Sequence, residues 1–175
     1  MLKTILMVVI VAIVAVLIYA STKPDNLHVQ RTVSIKAVPD KIFPHINDLH
    51  AWEAWSPYLK LDPTMKTRYS GSAAGVGSVY EWEGNSKAGA GRVTIAQTTP
   101  PNQVGIKLDM LKPFEAHNDV LFTLESKGES TDVTWAMDAH NSLLSKVMGL
   151  FINMDRMVGG DFAVGLASLK ALAEK

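Results

Sequence analysis

An unbroken apolar run near the amino terminus limits the folds that this chain can adopt. Residues 5–20 are all apolar and contain no charge, glycine or proline. A helix over residues 4–22 would be about 28 Å long, close to the roughly 30 Å hydrocarbon thickness of a bilayer. Its leucine, isoleucine and valine side chains favour insertion by roughly 3 to 7 kcal/mol. Residues 1–23 are therefore predicted to form a transmembrane anchor and its flank.

A cleaved signal peptide is the competing interpretation of the same segment. Lys3, the apolar run and Ala20 would supply its charged start, its core and a cleavage residue. Ile18 stands where a small residue is preferred, and the run exceeds the usual core of about 7 to 15 residues. The uncleaved anchor is the favoured interpretation, and cleavage stays open.

The charges around the span predict its orientation. Lys3 favours a cytoplasmic amino terminus, whereas Lys23, Arg31, Lys36 and Lys41 follow the span and favour the reverse. Long domains translocate largely regardless of charge, so the later basic residues count for less. We expect a single-pass membrane protein whose soluble domain is extracytoplasmic, with the side of the membrane left open.

Composition excludes several functions for the remaining domain, residues 24–175. The whole chain has 17 basic and 17 acidic side chains and a pI near 7.0, and all the acidic ones but not Lys3 and Lys23 lie in this domain, so no basic face for nucleic acid is expected. The absence of cysteine excludes disulfides, thiol nucleophiles and iron–sulfur sites. Protein partners and oligomeric state cannot be inferred from the sequence.

Alternating apolar and polar residues predict a one-sided antiparallel sheet. Seven strands are expected, at 27–37, 66–70, 77–82, 89–97, 103–110, 119–125 and 131–138. A short helical region follows the first strand, from Pro39 to Pro57, and contains Trp52 and Trp55. Apolar residues from Leu144 to Leu172 recur at helical spacing and predict a long helix that covers the sheet. Gly159 and Gly160 predict a break in it, with Asp161 as the cap of the last part.

This order of elements resembles the helix-grip fold of the START and polyketide-cyclase-like superfamily, SRPBCC. In particular, the chain resembles a membrane-anchored subgroup called polyketide cyclase/dehydrase. The motifs that carry the resemblance are Trp52 to Pro57, Leu61-Asp62-Pro63, Tyr69-Ser70-Gly71, Gly75-Val76-Gly77-Ser78, Tyr80-Glu81-Trp82-Glu83-Gly84, Val133-Thr134-Trp135 and Gly160-Asp161-Phe162. The resemblance implies an α+β domain: a seven-stranded, curved antiparallel sheet wrapped around a long carboxy-terminal helix, with two short helices after the first strand.

The resemblance also implies a deep cavity between the sheet and the last helix. Its predicted lining, taken from the apolar sheet face and the helix, is Tyr80, Trp82, Ile106, Leu108, Phe122, Trp135, Met137, Phe151 and Met154. Such a lining suits a lipid-like or polycyclic guest. The alternative is a core filled by these same side chains, since they would pack together whether or not a cavity remains.

Catalytic signals are weak. The five histidines form no recognisable metal set, and no metal or cofactor is expected. Arg31 and Tyr80 are the only polar-tipped residues on the predicted apolar face, which makes them the candidate catalytic residues. Three hypotheses follow: a membrane-anchored carrier of a hydrophobic small molecule or lipid, a cyclase or dehydratase by analogy with the family, and a structural envelope module with a filled core.

Overall fold

The computed structural model describes residues 1–175 as helices around one curved sheet. The helices are α1 (Leu2–Ser21), α2 (Pro39–Asn47), α3 (Leu143–Gly149) and α4 (Met154–Ala173), with two 3-10 helices at Leu49–Ala54 and Tyr58–Lys60. The strands are β1 (Asn26–Ile35), β2 (Lys66–Gly71), β3 (Ser78–Glu83), β4 (Ala90–Thr99), β5 (Gln103–Lys112), β6 (Ala116–Lys127) and β7 (Ser130–His140).

All seven strands form one antiparallel sheet in the order β1-β7-β6-β5-β4-β3-β2. Strands β2 to β7 form a meander, and β1 pairs with β7 at the edge. Helix α4 packs mainly against β1, while α2 and the first 3-10 helix cover the same face beside it. The predicted α+β helix-grip fold is confirmed, and three short helical segments, α2 and the two 3-10 helices, follow the first strand where two were expected.

The alternation in the sequence correctly identifies the two faces of the sheet. Along β7, for example, Val133, Trp135 and Met137 are buried, whereas Thr134 and Asp138 are not. The buried residues of β3 to β6 follow the same period of two. A one-residue shift in the pairing of a strand would turn all its side chains to the opposite face. Burial of one face therefore fixes the register of the sheet.

Glycine is required at the turn between β2 and β3. Gly71 has a φ of 76°, a left-handed conformation that side chains disfavour. A Cβ at Gly71 would also lie 2.0 Å from the carbonyl oxygen of Gly77. Both constraints act at the same residue, so this turn accepts glycine alone without rearrangement.

The predicted break at Gly159 and Gly160 is wrong. Helix α4 runs through both glycines, and the interruption lies earlier, between α3 and α4, where the Asn153 side chain accepts a hydrogen bond from the Arg156 backbone. Asp161 is therefore inside the helix and not its cap. Gly159 serves close packing instead, since a Cβ there would lie 2.2 Å from the Arg31 guanidinium.

Helix α1 stands apart from the domain. It is the one helix long and apolar enough, by length and composition, to cross a membrane, and almost none of it is buried. Only its carboxy-terminal end touches the domain, through α3, and Ala20 is fully buried there. A free-standing helix of this composition leaves its apolar surface without any protein partner.

Two surface histidines pair with aspartates and provide a pH test of the sheet. His28 Nδ1 lies 2.7 Å from Asp138, and His117 Nδ1 lies 2.7 Å from Asp109. In both cases the hydrogen bond to the aspartate raises the pKa of the histidine above its ordinary value of 6.5. Folding therefore favours the protonated rings. Their contribution to stability is present below about pH 6.5 and is lost as the pH rises through the raised pKa.

We expect the substitution Asp138→Asn to lower the pKa of His28 and to leave that of His117 unchanged. An NMR titration of the imidazole protons measures both values in one sample, so His117 is the internal control. An unchanged pKa for His28 would show that this hydrogen bond does not form in solution.

Candidate functional site

The space beneath α4 is occupied by the protein's own aromatic side chains. Trp55 and Phe122 are fully buried, and the Trp135 and Phe162 rings stack with their centroids 4.2 Å apart. Phe122 and Trp135 are 4.9 Å apart, and Trp52 closes the cluster at 5.2 Å from Trp55. The centre of the concave face is therefore a packed core and not the deep cavity that the resemblance implied.

The packing of α4 against this cluster is tight. Gly165 lies where a Cβ would be 2.8 Å from the Trp135 ring and 3.1 Å from Pro57. The helix thus approaches the sheet closely at a glycine, because a larger residue there would meet the Trp135 ring. The aromatic residues come from the sheet, from α4 and from the first 3-10 helix, so the sequence could not show how completely they fill the space.

An open recess remains on the same face of the sheet, at the edge formed by β2 and β3. Its volume is about 260 Å³. Its apolar lining is Leu59, Pro63, Met65, Tyr69 and Tyr80, and its polar lining is Glu53, Lys60, Asp62 and Thr67. The size lies near the lower end of the range for small-molecule pockets, which is about 300 to 1,000 Å³. We take this recess as the candidate functional site.

Two tyrosines form one wall of the recess because of the strand register. Tyr69 of β2 is directly opposite Tyr80 of β3, and their ring centroids are 5.0 Å apart. The Tyr69 hydroxyl donates to a Glu53 carboxylate oxygen at 3.3 Å, and His50 stacks on the Tyr69 ring at 4.0 Å. Tyr69 is thus held on one side by an imidazole and at its tip by a carboxylate.

The Tyr80 hydroxyl has no hydrogen-bond partner within the protein. Tyr80 is 5% exposed, and its oxygen is buried and unpaired. A buried hydroxyl without a partner costs about 1 to 3 kcal/mol, which a ligand acceptor would offset. Three other buried side-chain atoms also lack a partner, but their residues, Asn47, Ser56 and Trp135, do not line the recess.

Both phenols of the recess are hydrogen-bond donors at neutral pH. Burial raises the pKa of Tyr80 to about 12, and the negative charge of Glu53 adds to this effect. Burial also raises the pKa of Tyr69, again with a contribution from Glu53. Because both stay protonated, neither can act as a general base near pH 7. The recess offers donors and a carboxylate acceptor to a guest.

Asp62 is part of the wall of the recess, but its carboxylate already accepts hydrogen bonds from neighbouring loops of the protein. Its carboxylate accepts hydrogen bonds from the backbone and hydroxyl of Thr64 and from the backbone of Asn85, at 2.7 to 2.9 Å. These bonds hold the pKa of Asp62 below its usual value. Asp62 therefore fixes the connection between β3 and β4 against the rim of the recess.

The structure separates the two residues that the sequence offered as catalytic candidates. Arg31 is on β1 at one side of the sheet and Tyr80 is on β3, with four strands between them. The Arg31 guanidinium donates to both carboxylate oxygens of Asp155 at 3.0 Å and to two backbone carbonyls. Arg31 thus ties β1 to the start of α4, and the two residues do not share a site.

The other predicted ligand-binding residues fall into three places. Tyr80 lines the recess, with Trp82 half-buried beside it at a ring distance of 5.8 Å. The core contains Ile106, Phe122, Trp135 and Met137, with Leu108 half-buried at its margin. Phe151 and Met154 line a different groove beside the end of α1, and Phe151 is 80% exposed. The prediction that Phe151 faces the concave sheet is wrong, because the chain leaves the helix between α3 and α4.

Sequence reasoning missed Glu53 and Tyr69 as members of the site. The alternation of β2 places Tyr69 on the apolar face, and pairing with β3 then puts it opposite Tyr80. That signal was available, but a six-residue strand with one large apolar side chain gives it little weight. No group of three or more His, Cys, Asp or Glu side chains is arranged to hold a metal ion.

Comparison with known proteins identifies the family. Residues 26–174 match the family described as polyketide cyclase / dehydrase and lipid transport, and the chain belongs to it. This is the SRPBCC superfamily that the sequence motifs resemble. Membership supports a domain that binds a hydrophobic ligand or that acts as a cyclase or dehydrase. A search of the curated proteins gives no significant match.

Solved structures share the fold at low sequence identity. Protein CV1439 from Chromobacterium violaceum is 15% identical, with a TM-score of 0.60, over 87% of this chain and 99% of that one. The Aha1 dimer from Colwellia psychrerythraea is 20% identical, with a TM-score of 0.56, over 85% and 96%. DynU16, from the dynemicin biosynthetic locus, is 14% identical, with a TM-score of 0.59, over 87% of this chain and 48% of that one. At these identities the likeness concerns the fold alone.

Proposed function

We propose that the chain is a membrane-anchored binding domain for a small hydrophobic molecule that carries a hydrogen-bond acceptor. The observation that carries the proposal is an open recess lined in part by Tyr80, whose hydroxyl is buried and has no partner within the protein. The family supports binding of a hydrophobic ligand, and α1 has the length and composition of an anchor. The ligand site is accordingly the recess beside β2 and β3.

The lining of the recess combines apolar and charged side chains, which suits a guest that has both an apolar part and polar groups. Leu59, Pro63 and Met65 offer apolar contact, worth about 25 cal/mol per Å² of surface removed from water. The Tyr80 hydroxyl has a free donor, and because it is buried a guest would have to displace part of the lining to bring a carbonyl or ether oxygen to it. Both phenols stay protonated, so Tyr69 and Tyr80 would act as hydrogen-bond donors to a guest and not as the base of a cyclase or dehydratase.

The anchor gives the recess access to apolar molecules. Helix α1 would keep the domain at a bilayer, where such molecules are concentrated. We place the domain on the extracytoplasmic side, because Lys3 precedes the span and long domains translocate largely regardless of charge. When intact cells express the cysteine variant Val76→Cys, a membrane-impermeant maleimide added outside the cells should label the protein. Labelling only after lysis would place the domain in the cytoplasm.

Binding can be tested with prodan, a fluorescent naphthalene ketone whose emission shifts to the blue in apolar surroundings. We expect residues 24–175 to bind it, and the substitution Tyr80→Phe to raise the Kd by about 2- to 10-fold, which corresponds to one lost hydrogen bond. Tyr69→Phe should have a smaller effect, because the Tyr69 hydroxyl already donates to Glu53. A fluorescence titration measures each Kd.

Two control variants separate the recess from the rest of the domain. Tyr58→Phe removes a phenol that packs against Trp135 outside the recess, so the Kd should not change. Met65→Trp narrows the recess and should abolish binding while leaving the circular dichroism spectrum unchanged. Equal prodan affinity in all four variants, or no binding by the unaltered domain, would contradict the proposal and favour a filled structural module.

A further inference from the structure

Exposed apolar side chains are concentrated at the end of the domain from which α1 emerges. They lie at the end of β5, in the β5–β6 turn, in α3, in the α3–α4 connection and at the start of α4: Leu111, Phe114, Leu143, Leu144, Phe151, Ile152 and Met157. Each is between 41% and 80% exposed. A group of this size at one end of a soluble surface is typical of an interaction site.

The strand register places these segments at one end of the sheet. The first residue of β1, Asn26, is opposite His140 at the end of β7, where α3 begins. Next to β7, β6 begins at Ala116, which is opposite Met110 near the end of β5. Three strand spacings of about 4.8 Å separate β1 from β5, so the β5–β6 turn lies within about 14 Å of the chain that leaves α1.

The end of α1 has the side chains that are common at the surface of a bilayer. The Lys23 ammonium donates to the Tyr19 hydroxyl at 2.9 Å and lies 4.4 Å from the centre of its ring. Aromatic and basic residues of this kind are enriched where a membrane-spanning helix meets water. Lys23 also lines the same groove as Phe151 and Ile152, so these apolar side chains lie at the level of that surface.

The connection from α1 to the domain is fixed. The Lys146 ammonium contacts the Asp25 carboxylate at 2.5 Å, and the Asn141 backbone and side chain donate to the carbonyl oxygens of Asp25 and Pro24. The Lys146 side chain is 8% exposed, whereas the Asp25 side chain is 78% exposed, so the ion pair joins a buried lysine of the domain to the surface of the connection. A domain tied in this way keeps a constant face towards the bilayer.

We infer that this end of the domain rests on the lipid surface, with the α3–α4 connection and the β5–β6 turn inserted into the interfacial region. The inference rests on the proposed role of α1 as an anchor and does not depend on ligand binding in the recess. Apolar side chains on such a face are commonly buried about 5 to 10 Å into the boundary between headgroups and acyl chains. Phe151 and Phe114 would be the deepest contacts of the two segments.

The absence of cysteine allows a direct test in the full chain. Single variants Phe151→Cys and Phe114→Cys would carry a nitroxide in nanodiscs of phosphatidylcholine and phosphatidylglycerol. Frequent collisions of the nitroxide with oxygen indicate that it lies in lipid, and frequent collisions with a water-soluble nickel chelate indicate that it lies in water. We expect an oxygen-to-nickel ratio at both positions that is severalfold higher than at Val76→Cys, an exposed apolar position at the opposite end of the sheet.

The reference variant Val9→Cys, in the middle of α1, distinguishes the possible failures. A lipid-like ratio at position 9 with a water-like ratio at position 151 or 114 would overturn the docking surface and leave the anchor intact. A water-like ratio at position 9 would overturn the anchor and the docking surface together. Low collision rates with both reagents at position 151 would indicate a protein contact, such as a second copy of the chain, and would also overturn the inference.

Discussion

Replacing Trp55 by alanine is expected to lower the free energy of unfolding of the domain by about 3 to 5 kcal/mol, the usual cost of deleting a fully buried large aromatic side chain. Trp55 is 0% exposed and packs edge-on against Phe122 and Trp135, at 6.0 and 5.6 Å. Its indole nitrogen also donates to the backbone oxygen of His45 at 2.9 Å. The substitution would leave a void in the centre of the core and an unpaired carbonyl.

Urea denaturation of residues 24–175, followed by circular dichroism, measures the change. The variant Trp55→Phe keeps an aromatic ring and removes the donor, so it should cost less than Trp55→Ala. The variant Trp82→Ala, at a half-buried position, should also cost less. A loss below about 1 kcal/mol for Trp55→Ala would show that the space beneath α4 is not the packed core described above.

Two lysines in the middle of α1 should release the protein from the membrane. We expect the double variant Val11→Lys, Val14→Lys to change the protein from a membrane-bound to a soluble or degraded form. Each lysine near the centre of a membrane-spanning helix costs about 2.5 to 3.5 kcal/mol. Together they offset the roughly 3 to 7 kcal/mol by which the apolar residues of the segment favour insertion.

Carbonate extraction of membranes measures the distribution, and Val11→Leu, Val14→Leu is the matched control that should remain bound. The mass of the unaltered protein tests the signal-peptide alternative in the same preparation. Recovery of a chain that begins after Ala20 would establish cleavage and contradict the anchor. Retention of the double lysine variant in the membrane fraction would also contradict it.

The fold was predictable because its sheet is buried on one side only. Alternation in β7, with Val133, Trp135 and Met137 inward, gives both the strand and its face. Local propensity failed where tertiary packing decided the outcome. Glycine disfavours a helix, so Gly159 predicts a break, yet α4 continues through it. The lack of a side chain at Gly159 makes room there for the Arg31 guanidinium, which packs against the helix.

The site was less predictable than the fold. Apolar spacing cannot distinguish a hollow interior from a filled one, since Trp135 and Phe122 would be chosen by the same pattern in both cases. The recess depends on the path of the chain between Tyr58 and Met65, where no periodicity exists, and on the pairing of Tyr69 with Tyr80. Phe151 was misplaced because the spacing was extended across the connection between α3 and α4.

The most direct test of the central claim is a crystal structure of residues 24–175 with bound prodan. We expect density for the ligand in the recess between Leu59 and Tyr80, with its carbonyl oxygen about 2.5 to 3.0 Å from the Tyr80 hydroxyl. A ligand between α4 and the sheet, with the aromatic cluster displaced, would contradict that placement. So would a recess that remains empty in a crystal grown at saturating prodan.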